Sequence, residues 1–233
     1  METDSRSKKS RCLEDLRRKI LTQELEPGFA LDETEISELY GISRPPLREV
    51  LRQLSGEGSV LLIENRGAQV APMSHKTLRN FFVAAPMIYA ATTRLAAENA
   101  TPQQITRLKE CQWAFRQAIK SGDAAERALG NERFHSIIGE MAANEFLMPS
   151  LRRLLIDHTR IGMTFYSPRR EVSAQQVIAA DQHDAFIALI EAGDADGAGD
   201  LAVAHWELAR AQIENFISPE SMQLPLGRVS VAS

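Results

Sequence analysis

Residues 32–67 read DETEISELYGISRPPLREVLRQLSGEGSVLLIENRG, and this stretch decides the fold. Asp32 or Thr34 can cap a short helix, and Gly41 supplies the left-handed residue at which such a helix ends. Ser43 is a good N-cap for the helix that follows. The two prolines at residues 45 and 46 are tolerated in a first helical turn. The pattern predicts two helices joined by a tight turn, which is the helix-turn-helix arrangement.

The sequence on either side extends this motif into a domain. Upstream, apolar residues recur at helical spacing and predict an amphipathic helix that ends before residues 26–28. Downstream, extended runs at residues 60–63 and 69–71 enclose a turn and predict a two-stranded wing. We therefore expect a winged helix-turn-helix domain over residues 11–74, preceded by a disordered arm at residues 1–10.

Beyond residue 74 the composition changes to long stretches that are rich in Ala and Leu and poor in helix breakers. Breaks divide these stretches into about six helices, and they fall at residues 99–102, 121–123, 143–144, 167–168 and 192–194. Pro86 lies inside the first of these helices and predicts a kink or a break. The predicted fold class is mostly α, with an N-terminal winged helix-turn-helix domain, an all-helical bundle over residues 75–217 and a flexible tail at residues 218–233.

The overall composition is that of an ordinary soluble protein. The chain has 233 residues, of which 44% are hydrophobic and 25% charged. Its longest apolar runs fall short of the roughly 20 residues that cross a bilayer, and its first residues lack a signal-peptide core. We therefore expect a cytoplasmic protein with no membrane partner. Cys12 and Cys111 form no CxxC pair and are expected to be reduced packing residues.

The charged residues of the second helix of the motif indicate contact with DNA. Arg44 and Arg48 are four residues apart, so both lie on one face at the end of the helix that enters the major groove. A guanidinium there can bind the O6 and N7 atoms of a guanine together. Arg52, one turn later, is placed to meet the phosphate backbone, and Ser43 can also touch a phosphate.

The predicted wing carries a further cation. Asn65, Arg66 and Gly67 form its tip, where Arg66 would lie near the minor groove.

Residues 1–74 carry 11 Lys and Arg against 13 Asp and Glu, a net charge of −2. The arginines of the motif could therefore form no more than a solvated helix face, but the turn before them and the wing after them favour binding to double-stranded DNA. Binding then depends on a homodimer that presents two recognition helices.

Residues 36–58 resemble the recognition segment of the GntR family of bacterial transcription regulators, which typically runs L-x-x-x-x-G-V-S-R-x-P-V-R-E-A-L-x-x-L before a glycine and a wing. The matching positions are Ile36, Gly41, Ile42, Ser43, Arg44, Pro46, Leu47, Arg48, Glu49, Leu51, Leu54 and Gly58. The resemblance implies that Arg44, Arg48 and the wing tip contact the operator. Thr34 stands where some members carry a further arginine, which implies fewer direct contacts.

Three of the five histidines stand in patterns that resemble the effector domain of the FadR-type branch of this family, the FCD domain. The matching pieces are Asn131-Glu-Arg-Phe-His135, Asp181-Gln-His183-Asp-Ala-Phe-Ile187, and Ala198 and Ala202 before His205. The resemblance implies a metal site made of Asn131, His135, His183 and His205, beside a pocket for a small effector. Three imidazoles and one oxygen suit a divalent transition metal and favour Zn²⁺, with Ni²⁺ as the alternative.

Two departures from the family pattern bear on the effector. Asn131 replaces a common aspartate, so the site would carry a charge of +2 rather than +1 and attract a carboxylate or another anion. Members also carry an Arg and a Glu in R-x-x-[IL]-E on the first helix of the domain, but residues 83–90 carry no charge. The pocket then relies on the metal and on the candidate residues Tyr89, Thr93, Arg160 and Tyr166. His75 and His158 are expected to be structural.

These features together predict a transcription regulator whose operator affinity a small anionic metabolite controls, and the family resemblance implies that it is a repressor. A metal-dependent enzyme that uses the same histidines is the alternative. Glu132 points about 100° away from the ligand face of its helix, and the sequence has no HExxH, nucleophile elbow or P-loop, which argues against catalysis. A metal that only stabilises the bundle is a third hypothesis.

Overall fold

The computed structural model describes residues 2–64, 67–165 and 174–217. Within these ranges the chain forms nine helices and one three-stranded sheet. In chain order the elements are α1 (Glu2–Leu21), β1 (Ala30–Leu31), α2 (Glu33–Tyr40), α3 (Arg44–Glu57), β2 (Val60–Ile63), β3 (Gly67–Val70), α4 (His75–Asn99), α5 (Pro102–Ser121), α6 (Ala124–Met141), α7 (Leu147–Phe165), α8 (Ala174–Ala192) and α9 (Ala195–Ile217). The predicted fold class is confirmed. No helix in these ranges is long and apolar enough to cross a membrane.

Local capping sets the helix-turn-helix. The side chain of Asp32 accepts hydrogen bonds from the backbone N–H groups of Thr34 and Glu35, so Asp32 is the N-cap of α2. Gly41 ends that helix in the left-handed region at φ 58°. Ser43 precedes α3 in an extended conformation, but its side chain makes no capping hydrogen bond. The inner face of α3 fills the domain core with Leu47, Val50, Leu51 and Leu54.

The sheet contains one strand more than the predicted wing. Strands β2 and β3 pair antiparallel, with Val60 opposite Val70 and Ile63 opposite Gly67. Strand β1 pairs with the other edge of β3 and gives the order β1-β3-β2. A strand of two residues carries no alternating pattern, which is why the sequence did not indicate β1.

The first ten residues differ from the expectation of a disordered arm. Helix α1 begins at Glu2, so this segment is helical. The segment contains neither glycine nor proline, and its Lys, Arg and Glu residues have high helix propensity. The Nζ atom of Lys9 lies 2.5 Å from a carboxylate oxygen of Glu49 on α3, which ties the start of α1 to the recognition helix.

The six helices α4–α9 form the C-terminal bundle. Helix α4 packs against α6, α7, α8 and α9, and α5 packs against α6 and α8. Of the kink or break predicted at Pro86, a break does not occur, since α4 is one continuous helix from His75 to Asn99. Phe81, Ala85 and Tyr89 are buried on the inner face of this helix, and their packing offsets the hydrogen bond that a proline removes. Cys12 and Cys111 are buried and free, as expected.

Helix α7 joins the bundle to the DNA-binding domain. Arg160 is fully buried, and its guanidinium donates a hydrogen bond to the carbonyl of Ala71, between β3 and α4. The Nη1 atom of Arg160 lies 3.4 Å from Asp157, and Arg153 lies 2.8 Å from the same carboxylate. The side chain of Arg153 also packs against Gly58, leaving no room there for a Cβ atom. Three residues on successive turns of α7 therefore hold the end of α3 and the segment after the wing.

The turn after α1 contacts the same part of α7. The side-chain amide of Gln23 donates to the carbonyl oxygen of Arg160 at 2.5 Å and to the hydroxyl of Thr164 at 2.6 Å. The backbone of Gln23 is left-handed at φ 59°, a conformation that residues other than glycine rarely adopt. The two domains are thus connected by hydrogen bonds from two separate segments of the first domain.

We predict that Arg160→Met lowers the free energy of unfolding by about 2–3 kcal/mol, because the buried carbonyl of Ala71 loses a charged donor. Arg152→Met is the matched control, since Arg152 is exposed on the same helix. Urea unfolding followed by circular dichroism measures both variants. Equal unfolding midpoints for the two variants would show that the contact between Arg160 and Ala71 does not stabilise the protein.

Candidate DNA interface and histidine centre

The N-terminal end of α3 presents the arginines that the sequence singled out. Arg44, Arg48 and Arg52 are all exposed along this helix. The Nε atom of Arg48 lies 3.4 Å from Glu33, but the side chain is 59% exposed, so this loose ion pair leaves Arg48 available to DNA. Ser43 is exposed immediately before them. The surface is thus a row of exposed cations at successive turns of α3, beside its buried apolar face.

Only part of the predicted wing tip is described. Asn65 and Arg66 lie outside the described residues, and the predicted minor-groove contact of Arg66 stays a prediction. Gly67 opens β3 with a left-handed backbone at φ 82°, which suits a tight turn between the two strands.

Three buried histidines from three helices meet in the centre of the bundle. His135 lies on α6, His183 on α8 and His205 on α9. Their ring centroids are 5.1 to 5.3 Å apart, so the three rings form a nearly equilateral triangle. One nitrogen of each ring lies within 4.8 Å of one nitrogen of the other two. This cluster could hold a metal ion, since structural and catalytic sites both use imidazole nitrogens in such groups.

The hydrogen bonding of the rings supports a metal. The Nε2 atoms of His135 and His183 are buried and have no hydrogen-bond partner. Buried polar atoms in native proteins are nearly always satisfied, by protein, water or an ion. Burial lowers the pKa of His135 and His183 well below the usual value and lowers the pKa of His205 to about 3, so all three imidazoles are neutral at pH 7. Neutral imidazole is the form that binds metals.

Two glutamines contact the Nδ1 atoms of two of these rings. The Nδ1 atom of His183 lies 3.1 Å from the Oε1 atom of Gln112, and the Nδ1 atom of His205 lies 2.8 Å from the Oε1 atom of Gln182. Outer contacts of this kind orient metal-binding histidines. Sequence analysis missed both glutamines, because a contact between α5 and α8 or between α8 and α9 leaves no spacing signal along the chain.

Two cavities adjoin the histidines. The main cavity has a volume of about 90 Å³ and is lined by Phe115, Ala124, Arg127, Ala128, Asn131, His158, Thr159, Gly162, Met163, Gln176, Ala179, His205 and Leu208. The smaller side cavity is lined by Tyr89, Thr93, His135, His158, Phe186, Ala202, His205 and Trp206. Asn131 thus faces the main cavity one helical turn before His135, as the shared helical face requires. Among the described residues, no Asp or Glu lines either cavity.

The four residues predicted to bind the effector do not all lie beside the histidines. Tyr89 and Thr93 line the side cavity, next to the histidines. Arg160 lines neither cavity, and its assignment to the pocket is wrong, because its side chain points to the junction with the first domain. Tyr166 lies outside the described residues.

His158 has a position that the sequence did not indicate. It is buried and lines both cavities, and its Nδ1 atom lies 2.8 Å from the hydroxyl of Tyr89. Burial lowers the pKa of His158 to about 4, so this ring is also neutral at pH 7. His158 belongs to none of the motifs of the other histidines, which is why sequence analysis assigned it a structural role.

Comparison with known proteins agrees with both halves of this architecture. Residues 8–70 match the family "Bacterial regulatory proteins, gntR family", and residues 85–208 match the FCD domain. The regulator YieP of Escherichia coli K12 is 30% identical over 206 residues, which are 79% of this chain and 86% of YieP. The transcriptional repressor RspR of the same organism is 27% identical over 174 residues, 75% of each chain. The structure of E. coli McbR/YncC superimposes with a TM-score of 0.77 at 19% identity, covering 91% of this chain and 99% of that chain.

The FCD match alone spans more than half of the 233 residues. The match to the gntR family coincides with the helix-turn-helix and its wing, and the FCD match coincides with the bundle that holds the histidines. The chain therefore belongs to the GntR family of bacterial transcription regulators and carries an FCD domain.

Proposed function

We propose that the protein is a homodimeric repressor whose affinity for operator DNA is controlled by a small anionic metabolite, bound beside a metal ion in the FCD domain. One observation carries the proposal: a buried triangle of neutral imidazoles, two of which have unpartnered Nε2 atoms, adjoins two cavities. His135 lines the side cavity, and His205 lines both. The relative RspR, which is named as a repressor, supports the sign of regulation. A protein that acts on chromosomal DNA works in the bacterial cytoplasm.

His135, His183 and His205 would hold the metal, with the amide oxygen of Asn131 as a fourth donor. Zn²⁺ is favoured by three nitrogens and one oxygen, and Ni²⁺ is the alternative. When bound, the metal supplies a positive charge and an open coordination position. All four donors are neutral, so the charge of +2 is undiminished and attracts an anion.

The lining of the main cavity narrows the chemistry of the effector. Arg127 contributes a second positive charge, one helical turn before Asn131. Phe115, Met163 and Leu208 supply an apolar wall on the other elements. A carboxylate with an apolar body fits this combination of charge and surface. The lack of a lining carboxylate in the described part of the cavity leaves a metal hydrolase without the usual general base, which favours sensing over catalysis.

Helix α7 provides a route from the cavity to the DNA-binding domain. His158 and Thr159 face the main cavity, while the adjacent Asp157 and Arg160 belong to the junction with the first domain. An effector that favours one position of α7 would shift the orientation of the recognition helices, provided that its affinity differs between the two positions.

A homodimer would bring two recognition helices to one operator. Val83 and Met87 lie one turn apart on α4 and are each 64% exposed, whereas the inner face of this helix is packed into the bundle. Apolar side chains in such a position would be covered by a second copy of the domain. Two half-sites about one helical turn of DNA apart, or a multiple of it, would then match the two-fold symmetry of the dimer.

We predict that Arg44→Ala and Arg48→Ala each weaken operator binding by about tenfold to a hundredfold, the cost of losing a bidentate contact to guanine. The operator is first selected from random double-stranded DNA with the wild-type protein. Affinity is then measured by fluorescence anisotropy at about 0.15 M salt, where nonspecific binding is weak. Arg107→Ala, an exposed substitution on α5, is the control and should bind like wild type. Wild-type affinity in both α3 variants would refute the assignment of the interface.

We predict that removal of the metal with a chelator lowers the melting temperature by roughly 10 °C, given a metal concentration far above its Kd. His183→Ala should melt at the same temperature with and without the chelator. His75→Ala should keep the full shift, because His75 is exposed at the start of α4, away from the cluster. A wild-type melting temperature that does not respond to chelation would contradict the metal site.

A further inference from the structure

We propose that Gln112 is a positioning residue of the metal site, which fixes the tautomer of His183 so that the Nε2 atom carries the lone pair. The inference rests on the metal site of the proposed function. Gln112 lies on α5, a helix that provides no metal ligand, and it is only 3% exposed. Its role follows from the direction of its hydrogen bonds.

The two ends of the Gln112 amide are distinguished by their partners. The Nε2 atom lies 2.7 Å from the carbonyl oxygen of Ala180 and 2.9 Å from the Oδ1 atom of Asp184. Both partners are acceptors, so both N–H bonds of the amide are used. The reversed orientation would place the amide oxygen against two other oxygens. The Oε1 atom of Gln112 is therefore the atom that faces His183.

This orientation fixes the proton on His183. An amide oxygen can only accept, so the Nδ1 atom of His183, 3.1 Å away, must be the donor. In a neutral imidazole the other nitrogen then has no proton. That nitrogen is the buried Nε2 atom without a hydrogen-bond partner. The tautomer that Gln112 selects is thus the one in which this unpartnered nitrogen carries a lone pair for a metal.

Further contacts hold this arrangement from two sides. Asp184 is bound by Arg116, whose Nε atom lies 3.0 Å from the Oδ2 atom, and Arg116 also pairs with Asp181 at 2.7 Å. The carboxylate that receives one N–H bond of Gln112 is therefore itself anchored at the surface. On the other side, the ring of Phe134 stacks on the ring of His183 at a centroid distance of 3.9 Å and an angle of 3°. The plane of the imidazole and the position of its proton are both set.

The test compares Gln112→Met with Gln117→Met, an equivalent change at an exposed position of the same helix. Zn²⁺ affinity is measured by competition with a chromogenic chelator. We expect Gln112→Met to bind Zn²⁺ about tenfold to a hundredfold more weakly than wild type, and Gln117→Met to bind like wild type. Circular dichroism checks that both variants are folded.

A second measurement reports on the tautomer directly and needs no variant. In the metal-free wild type, the ¹⁵N shifts of His183 should show a protonated Nδ1 and an unprotonated Nε2. The opposite tautomer would overturn the inference, as would unchanged Zn²⁺ affinity in a folded Gln112→Met. A wild type that binds no Zn²⁺ would instead remove the proposed metal site and, with it, this role of Gln112.

Discussion

Two imidazole nitrogens that are buried without a partner form the constraint around which the C-terminal bundle is organised. Each such atom in a protein interior costs about 1–3 kcal/mol when it stays unsatisfied. The Nε2 atoms of His135 and His183 are both in this position, inside a cluster that burial keeps neutral. A metal ion bound between the rings would satisfy both atoms at once. The three helices α6, α8 and α9 would then each contribute one ligand to the same site.

The same bundle is coupled to the DNA-binding domain through α7. On α7, neighbouring residues face the main cavity on one side and the domain junction on the other, and Arg160 bridges to the segment after the wing. A ligand that moves α7 would therefore move the recognition helix without any change in the hydrophobic core of either domain. The path consists of the hydrogen bond from Arg160 to Ala71, the two hydrogen bonds from Gln23 to α7 and the ion pairs of Asp157 within α7.

The sequence predicted the features that local chemistry determines and missed those that depend on distant contacts. The helix-turn-helix could be predicted because its caps, turn glycine and apolar stripe lie within a few residues of one another. The three histidines could be grouped through their motifs. Arg160 was misplaced because the helical pattern shows that a residue is on α7, but not whether it faces the cavity or the other domain. Gln112 and His158 gave no signal, since their partners lie 71 and 69 residues away.

The central claim is that imidazole nitrogens of the bundle bind a divalent transition metal. X-ray absorption at the metal edge of the purified protein tests it most directly, because the spectrum reports the ligand atoms and recognises imidazole by its outer ring atoms. We expect nitrogen and oxygen ligands at about 2.0–2.1 Å, with the scattering of three imidazoles. Sulfur ligands, a fully hydrated ion or a protein purified without metal would contradict it.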